Sequence, residues 1–558
     1  MRQTLTLLFA TLLFGTAAAQ PDWAKKASKS LFTLKTFDAK GTLLASSNGF
    51  FVGERGEAVS SFTPFNGAAK AIVIGTDGRE MPVSAIIGAN STYDVAKFRV
   101  GAKRTVPLTV ARSAATVGTT VWILPYSANK KPQCIEAKVS KTETFQTHYT
   151  YYSLSAKGTD NTVSCPLLNA AGEAVGLMQL PSSDRDTVGY AVSALFADSL
   201  RTNGLSINDA TLNRTSIKKE LPDDMNQAVL ALYVGGSVLD SAGYATLVND
   251  FIAKFPDAPD GYISRAQLNA QAALYAEADR DMAQAIKVAE KKDDAHFNYS
   301  KLIYQKAISP DSASYPQWTL EKAAEEIQTA YAANPISLYR EFEAQIRFAQ
   351  KQYDNAFNIY SQLIESSDKP TAELYFLAAR CKEMTRDSAA VLALLDSAVN
   401  TFSKPYLKTA APYILARAQA LLSKGEYRKA VADFNDYESL MRNEVNANFY
   451  YIRARAETEG RIFQAALNDY AKAIRMEPKN TLYLAEKAAL EIRVNLLDDA
   501  IKTAEACIAA NPAVSDGHLF LGLAQCLKGD KAQGRQNMQK AKELGDPQAQ
   551  ELMDKYAN

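Results

Sequence analysis

A repeated spacing of small residues in the C-terminal half constrains the fold of this chain more than any other feature. A small residue stands twelve positions before a second one, and a bulky residue follows four positions later. The second small residues recur mostly about 34 to 36 positions apart. Such a period is typical of repeat arrays, in which each unit needs its neighbours to bury its apolar face. The triplets are Ala266/Ala278/Met282, Ala344/Ala356/Tyr360, Ala378/Ala390/Leu394, Ala418/Ala430/Phe434, Ala454/Ala466/Tyr470 and Gly522/Gly534/Met538, and Ala488/Ala500 continues the set with Ala504.

Each unit is predicted to contain two amphipathic helices. The two small residues lie on facing helices, where larger side chains would push the backbones apart, and the bulky residue lies one turn further along the same face. Turns containing proline close the units, as at Pro335, Pro478 and Pro512, because proline cannot continue a helix. Two less regular units centre on Ala245 and Ala323, so we count about nine units over residues 225–558.

This pattern resembles the tetratricopeptide repeat (TPR) family. The small residues match its two interhelical positions, and Phe434 and Tyr470 match its aromatic position. The resemblance implies an all-α, right-handed solenoid whose first helices line a concave groove for proteins or peptides. Some members hold a C-terminal carboxylate with a Lys and an Asn four residues apart on the first helix, a pair that no unit carries. Tyr451 and Arg455 are the candidate binding residues, and an ordinary solvated helix face is the alternative.

The N-terminus predicts export. Residues 1–19 combine Arg2, an apolar stretch too short to span a bilayer, and small residues before Gln20, which together are typical of a secretory signal peptide. The alternative is a buried N-terminal segment. We expect a periplasmic or secreted protein without a transmembrane segment, and the bacterial style of the signal favours the periplasm. A net charge of +1 argues against nucleic acid as a partner.

The repeat stops before about residue 230, and the preceding sequence predicts strands. Thr, Val, Ser and Gly become more frequent, and short alternating runs such as 71–74 and 121–124 are separated by turn residues. This is typical of an all-β sandwich or barrel. We predict a β domain over residues 20–200 and a polar linker over 201–224.

Several short segments of the β domain follow one another in a specific order. They are Gly49-Phe50-Phe51-Val52, Asp94-Val95-Ala96, Pro166-Leu167-Leu168-Asn169 and Gly189-Tyr190-Ala191-Val192. This order resembles that of the trypsin-like serine proteases, especially their secreted high-temperature-requirement (Deg) branch. The resemblance implies a chymotrypsin-like double barrel with a catalytic triad between the barrels.

Two of the three triad positions are replaced. The resemblance places the histidine position at Thr63 and the nucleophile position at Val163, while Asp94 keeps the aspartate. Valine has no nucleophilic atom, and threonine cannot accept a proton near neutral pH. Ser164 and Cys165 follow the nucleophile position and are weak rescue candidates, because neither has an evident base. His148, the only histidine of this domain, is not where the family places its base.

No cofactor or metal is predicted, because no Cys/His cluster has metal-ligand spacing. Cys507 and Cys526 fall on elements predicted to pack together. An oxidising compartment would allow a disulfide between them, and the alternative is that both are small buried apolar residues.

Three functions remain open at this stage. The first is an exported, non-catalytic scaffold for protein–protein interaction, with unidentified proteins or peptides as partners. The second is an unorthodox serine or cysteine endopeptidase that uses Ser164 or Cys165. In the third, the β domain only caps the apolar end of the repeat array. The missing triad residues favour a protein that is not an enzyme.

Overall fold

The structure, a computed structural model, describes residues 20–127, 132–145, 149–181, 187–310 and 314–557. The predicted signal peptide and His148 lie outside the described residues. The chain divides into two compact units on either side of the bond between Glu290 and Lys291.

Twelve strands in the described part of the first unit close into two antiparallel barrels of six strands each. The first barrel has the order β1-β2-β3-β6-β5-β4, and the second has the order β10-β11-β12-β9-β8-β7. A short helix, α1 (Ala24–Ala27), precedes them, and α2 (Phe196–Ser199) follows. The strands are β1 Leu31–Phe37, β2 Leu43–Phe51, β3 Glu57–Ser60, β4 Lys70–Gly75, β5 Glu80–Asn90, β6 Val95–Val100, β7 Thr120–Ile123, β8 Ile135–Phe145, β9 Tyr149–Leu154, β10 Pro166–Leu168, β11 Ala174–Gln179 and β12 Gly189–Ser193.

Each barrel has its own apolar core, and a third core lies between the barrels. Alternate side chains of the strands point inward, so Phe32, Leu34 and Phe98 fill the first barrel, and Val139 and Leu154 belong to the core of the second. The third core joins residues from both barrels, among them Leu31, Phe50, Leu124, Leu168 and Val192. This shared core fixes the loops of one barrel against those of the other.

Residues 201–224, for which the sequence predicts a polar linker, run along the first barrel. Leu212 and Ile217 are buried in its core, and the backbone N–H of Ile86 donates to the carbonyl of Lys218. Glu220 accepts two hydrogen bonds of 2.8 Å from the guanidinium of Arg99 on β6. The segment is therefore held to the barrel by apolar, backbone and charged contacts.

Helices α3 to α20 follow in the described residues as nine consecutive pairs, and α21 ends the chain. The prediction of an all-β double barrel followed by an all-α array of repeats is confirmed. The helices are α3 Met225–Val238, α4 Ser241–Lys254, α5 Pro259–Gln271, α6 Tyr275–Val288, α7 Lys292–Ile308, α8 Leu320–Ala333, α9 Ser337–Ala349, α10 Tyr353–Glu365, α11 Ala372–Met384, α12 Ser388–Asn400, α13 Ala411–Ser423, α14 Tyr427–Met441, α15 Ala447–Glu459, α16 Phe463–Met476, α17 Thr481–Arg493, α18 Leu497–Ala510, α19 Ser515–Lys528, α20 Lys531–Glu543 and α21 Ala549–Tyr556.

The small residues lie where the helices of a pair touch. Ala418 and Ala430 are fully buried between α13 and α14, and Phe434 packs one turn further along in the same core. The same holds for the alanines of the pairs α5/α6, α9/α10, α15/α16 and α17/α18. The twelve-residue spacing of small residues therefore arises from the close contact between the backbones of the two helices in a pair.

One pair departs from the predicted spacing. Ala390 and Leu394 of α12 are only half-buried, whereas Ala379 and Leu395 are buried. Counted from the starts of α11 and α12, the positions equivalent to those of the other pairs are Ala379, Val391 and Leu395. The predicted triplet is wrong by one residue in this pair, and a valine takes the place of the second small residue.

The last pair, α19/α20, shows how close the backbones come. A Cβ atom added to Gly522 would lie 2.6 Å from the carbonyl oxygen of Gly534, and one added to Gly534 would lie 2.6 Å from that of Gly522. Carbon and oxygen cannot approach so closely without moving a backbone. Both glycines are therefore required by the packing of α19 against α20.

We expect Gly534→Ala to destabilise the α19/α20 pair by about 1–3 kcal/mol, the usual cost of overpacking a core. Hydrogen exchange of the α19 and α20 amides checks this locally, and thermal melting followed by circular dichroism checks it for the chain. Gly236→Ala on α3 is the matched control, because the added Cβ would lie at an ordinary 3.5 Å from the Tyr244 ring. Unchanged exchange in Gly534→Ala would contradict the packing argument.

Candidate functional site

Thr63 and Asp94, the residues that the sequence predicts at the histidine and aspartate positions, are joined by hydrogen bonds. Thr63 begins a short 3-10 helix, Thr63–Phe65, and Asp94 comes directly before β6. The backbone N–H of Thr63 donates to Asp94 Oδ1 over 2.6 Å, and Thr63 Oγ1 donates to the same oxygen over 2.8 Å. Asp94 therefore stabilises the start of this helix. The Thr63 hydroxyl that it binds cannot accept a proton near neutral pH.

Val163, the residue predicted at the nucleophile position, has an aliphatic side chain. Val163 follows the 3-10 helix Asp160–Thr162 in the second barrel and is half-buried. The side-chain amide of Asn48, on β2 of the first barrel, donates to the carbonyl oxygens of Val163 and Asn161 over 3.2 and 3.4 Å. The loop is thus fixed against the first barrel, but it presents no atom that can attack a carbonyl at this position.

Ser164, the first rescue candidate, is part of a buried hydroxyl cluster. Its Oγ lies 2.6 Å from Ser61 Oγ and 3.1 Å from Ser47 Oγ, and it accepts the backbone N–H of Ser61 over 3.1 Å. The partners of its Oγ in the described residues are hydroxyl and amide groups. Its φ of 61° lies in the left-handed region, which favours glycine.

Cys165, the second rescue candidate, is fully buried in the core of the second barrel. Its Sγ contacts the carbonyl oxygen of Asn161 at 3.5 Å. Burial raises the pKa of the Cys165 thiol to about 12. The thiolate is the nucleophilic form, so this side chain is inert near neutral pH.

We expect Ser164→Ala to lower the free energy of unfolding of the β domain by about 1–2 kcal/mol, because it leaves the buried N–H of Ser61 without its acceptor. Chemical denaturation followed by tryptophan fluorescence measures this. Ser84→Ala is the control, because its hydroxyl makes only an exposed bond to the Arg99 carbonyl. Equal stability of the two variants would show that the cluster contributes nothing.

In the helical array, the two predicted binding residues lie in different environments. Tyr451 is only 9% exposed and packs among Ala447, Tyr470 and Tyr483. Arg455 is exposed, and its guanidinium lies 5.8 Å from the centre of the Tyr451 ring. A partner would meet Arg455 first, and the binding role of both residues stays a prediction.

An ion pair between an arginine and a buried aspartate recurs in three helix pairs. An arginine comes directly before the first alanine, and an aspartate lies three residues after the second, so the two are sixteen positions apart. In each pair the guanidinium binds both oxygens of the carboxylate, with bonds between 2.6 and 3.2 Å. The pairs are Arg265–Asp281, Arg417–Asp433 and Arg453–Asp469. Sequence reasoning missed this pattern, although the constant spacing could have revealed it.

The most buried of these pairs has an additional carboxyl group beside it. Arg453 binds Asp469 and Glu438, and Glu457 Oε1 lies 4.0 Å from Arg453 Nε. Glu457 is 3% exposed, and its Oε2 has no hydrogen-bond partner in the described residues. Burial, and then the negative charge of Asp469, raise the pKa of Glu457 to about 7.

We expect Glu457 to make stability depend on pH. Its pKa is higher in the folded chain than the ordinary 4.5, so the folded state binds the proton more tightly and stability falls as the pH rises from about 4.5 to about 7. Glu457→Gln should remove about 1–3 kcal/mol of this dependence. Thermal melting between pH 4.5 and 8 measures it, and Glu459→Gln, at an exposed position of the same helix, is the control. Parallel pH profiles of wild type and Glu457→Gln would contradict the assignment.

Neither a metal site nor a membrane span is found in the described ranges. No group of three or more His, Cys, Asp or Glu side chains there is placed to hold a metal ion. No helix among the same residues combines the length and the apolar character that crossing a bilayer requires. The five cysteines are free thiols, and Cys507 and Cys526 are both buried.

Comparison with known proteins finds similar proteins for both halves of the chain. The family model of the trypsin-like peptidase domain matches residues 47–177. Among curated proteins, the small glutamine-rich tetratricopeptide repeat-containing protein 2 of Saccharomyces cerevisiae is 30% identical over 91 residues, which are 16% of this chain and 26% of that protein. The Hsp70-Hsp90 organizing protein of Triticum aestivum is 22% identical over 280 residues, 48% of this chain and 42% of that protein. The chain thus spans less than half the length of either relative.

Two solved protease structures are also similar. A serine endoprotease from Yersinia pestis is 16% identical with a TM-score of 0.28, covering 32% of this chain and 66% of that one. An HtrA-type protease solved with a tripeptide is 18% identical with a TM-score of 0.28, covering 32% and 60%.

Proposed function

We propose that this chain is an exported, non-catalytic scaffold for protein–protein interaction, in which an inactive serine-protease-like domain is joined to tetratricopeptide repeats. The observation that carries the proposal is the pair of replaced positions in the protease-like site. Val163 is the residue predicted at the nucleophile position, and Thr63, predicted at the histidine position, uses its hydroxyl to bind Asp94.

The chemistry of peptide hydrolysis supports the absence of catalysis. A serine or cysteine attacks a carbonyl only when a base within hydrogen-bond reach removes its proton, or when its pKa is low. Ser164 is surrounded by other serines, and the pKa of Cys165 is raised rather than lowered. Neither Ser164 nor Cys165, the two candidates of the endopeptidase alternative, is exposed, and no partner in the described residues activates either of them.

The helical half supports a role in binding proteins. Arrays of helix pairs present extended surfaces, and they bind peptides or protein faces more often than they catalyse reactions. The wheat relative is named as an organizer of two chaperones, which fits protein partners for this chain without naming them. Export is supported by residues 1–19, whose sequence predicts a signal peptide.

We expect the mature chain, beginning at Gln20, to leave unfolded casein intact and to remain unlabelled by a fluorophosphonate probe at Ser164 and by an iodoacetamide probe at Cys165. Gel electrophoresis and peptide mass spectrometry measure cleavage and labelling, with an active trypsin-like protease as the positive control. Labelling at Ser164, together with casein cleavage that is lost in Ser164→Ala, would contradict this proposal and support the endopeptidase alternative.

Binding of partner proteins, the core of the scaffold proposal, is tested by cross-linking the whole tagged chain in the cell envelope of its native host. Cross-linking of the tagged chain should recover defined proteins in stoichiometric amounts, and the same proteins should be recovered with Ser164→Ala. Recovery of no protein above an untagged control would contradict the scaffold.

A further inference from the structure

The second unit contains a cavity of about 730 Å³ between α11, α12 and α13. Much of its wall is apolar, with Phe376 and Ala379 from α11, Val391 and Leu395 from α12, and Ala420 from α13. A cavity of this size accommodates one or two large side chains of a bound segment.

Its position follows from the irregular helix pair. Val391 stands where the regular pairs have a fully buried alanine, and it is only half-buried. The connection from Asn400 at the end of α12 to Ala411 at the start of α13 is also longer than those that join the neighbouring pairs. The cavity therefore lies at the pair in which a valine takes the place of the second alanine and a longer connection follows.

The rim of the cavity is positively charged. Arg380, Arg386 and Lys424 line it, against the single carboxylate of Glu383. These three cations are exposed and form no ion pair within the described residues. Asp387, beside Arg386, uses its side chain to cap α12. By contrast, Arg417 on the same α13 is held by Asp396 and Asp433.

A second cavity, of about 210 Å³, shares Arg380 with the first. Tyr304, Phe348 and Leu377 contribute to its wall. The Arg380 guanidinium lies 5.4 Å from the centre of the Phe348 ring, a cation–π contact that positions it between the two cavities. We call the two cavities, together with the cations Arg380, Arg386 and Lys424 that line them, the basic groove.

We propose that the basic groove binds an acidic segment of a partner protein, with an apolar side chain of the segment in the larger cavity. Carboxylates on either side of that side chain would meet Arg380, Arg386 and Lys424. This inference rests on the proposed scaffold function and names the chemical class of its partner. Nucleic acid is disfavoured, because the apolar wall matches a side chain better than a phosphate backbone.

The test uses the full mature chain and a fluorescein-labelled peptide of alternating Glu-Glu-Leu units, acetylated and amidated so that it has no terminal carboxylate. Fluorescence anisotropy measures its binding. We expect saturable binding that weakens as the salt concentration rises, because added salt screens the charges. A peptide with Lys in place of every Glu should not bind.

Paired variants locate the site. Arg386→Glu/Lys424→Glu should weaken binding of the acidic peptide at least about tenfold. Lys351→Glu/Lys479→Glu makes the same change in charge at two exposed lysines outside the groove and should leave binding unchanged. Ala420→Trp, which fills the cavity without changing charge, should also abolish binding. Circular dichroism melting of each variant shows that it is folded.

Three outcomes would overturn the proposal: no binding of the acidic peptide, equal weakening by both charge-reversal pairs, or equally tight binding of a single-stranded oligothymidylate. These outcomes are distinguishable from failure of the scaffold. If cross-linking still recovers the same proteins with Arg386→Glu/Lys424→Glu, the scaffold stands and the basic groove is not its binding site.

Discussion

Close contact between helix backbones is the constraint on which the helical half depends. In six of the nine helix pairs of the described residues a small residue on one helix faces a small residue on the next, and side chains such as Phe434 and Tyr470 fill the space one turn away. The three Arg–Asp pairs add a directional contact beside this seam, because a guanidinium meets both oxygens of a carboxylate in one geometry. Apolar packing therefore sets the distance between the helices, and the ion pairs help to set their register.

The same constraint explains where the array departs from regularity. A valine, Val391, replaces the small residue in the pair α11/α12, and apolar side chains of this pair and of α13 line the cavity of about 730 Å³. A repeat protein can therefore create a site by relaxing its packing in one unit, while its neighbours keep the array stable. The fold tolerates this because each unit contacts mainly those beside it.

Much of the fold could be predicted from the sequence, because both halves carry periodic or ordered signals. The alanine spacing placed the interhelical contacts, with an error of one residue at Ala390, where two adjacent alanines, Ala389 and Ala390, obscured the register. The positions of Thr63, Asp94 and Val163 came from the order of short segments. The hydroxyl cluster of Ser47, Ser61 and Ser164 could not be predicted, because it joins residues more than a hundred positions apart. The basic groove was missed because its charges have no repeated spacing.

The hydrogen bonds of Asp94 and Ser164 also limit which substitutions the β domain tolerates. Asp94 accepts the backbone N–H of Thr63 at the start of a short helix, and Ser164 fastens the loop of the second barrel to the first. A substitution at either residue would therefore remove a contact between segments that are far apart in the sequence. The exposed faces of the helices, which make no such contacts, offer more freedom for change.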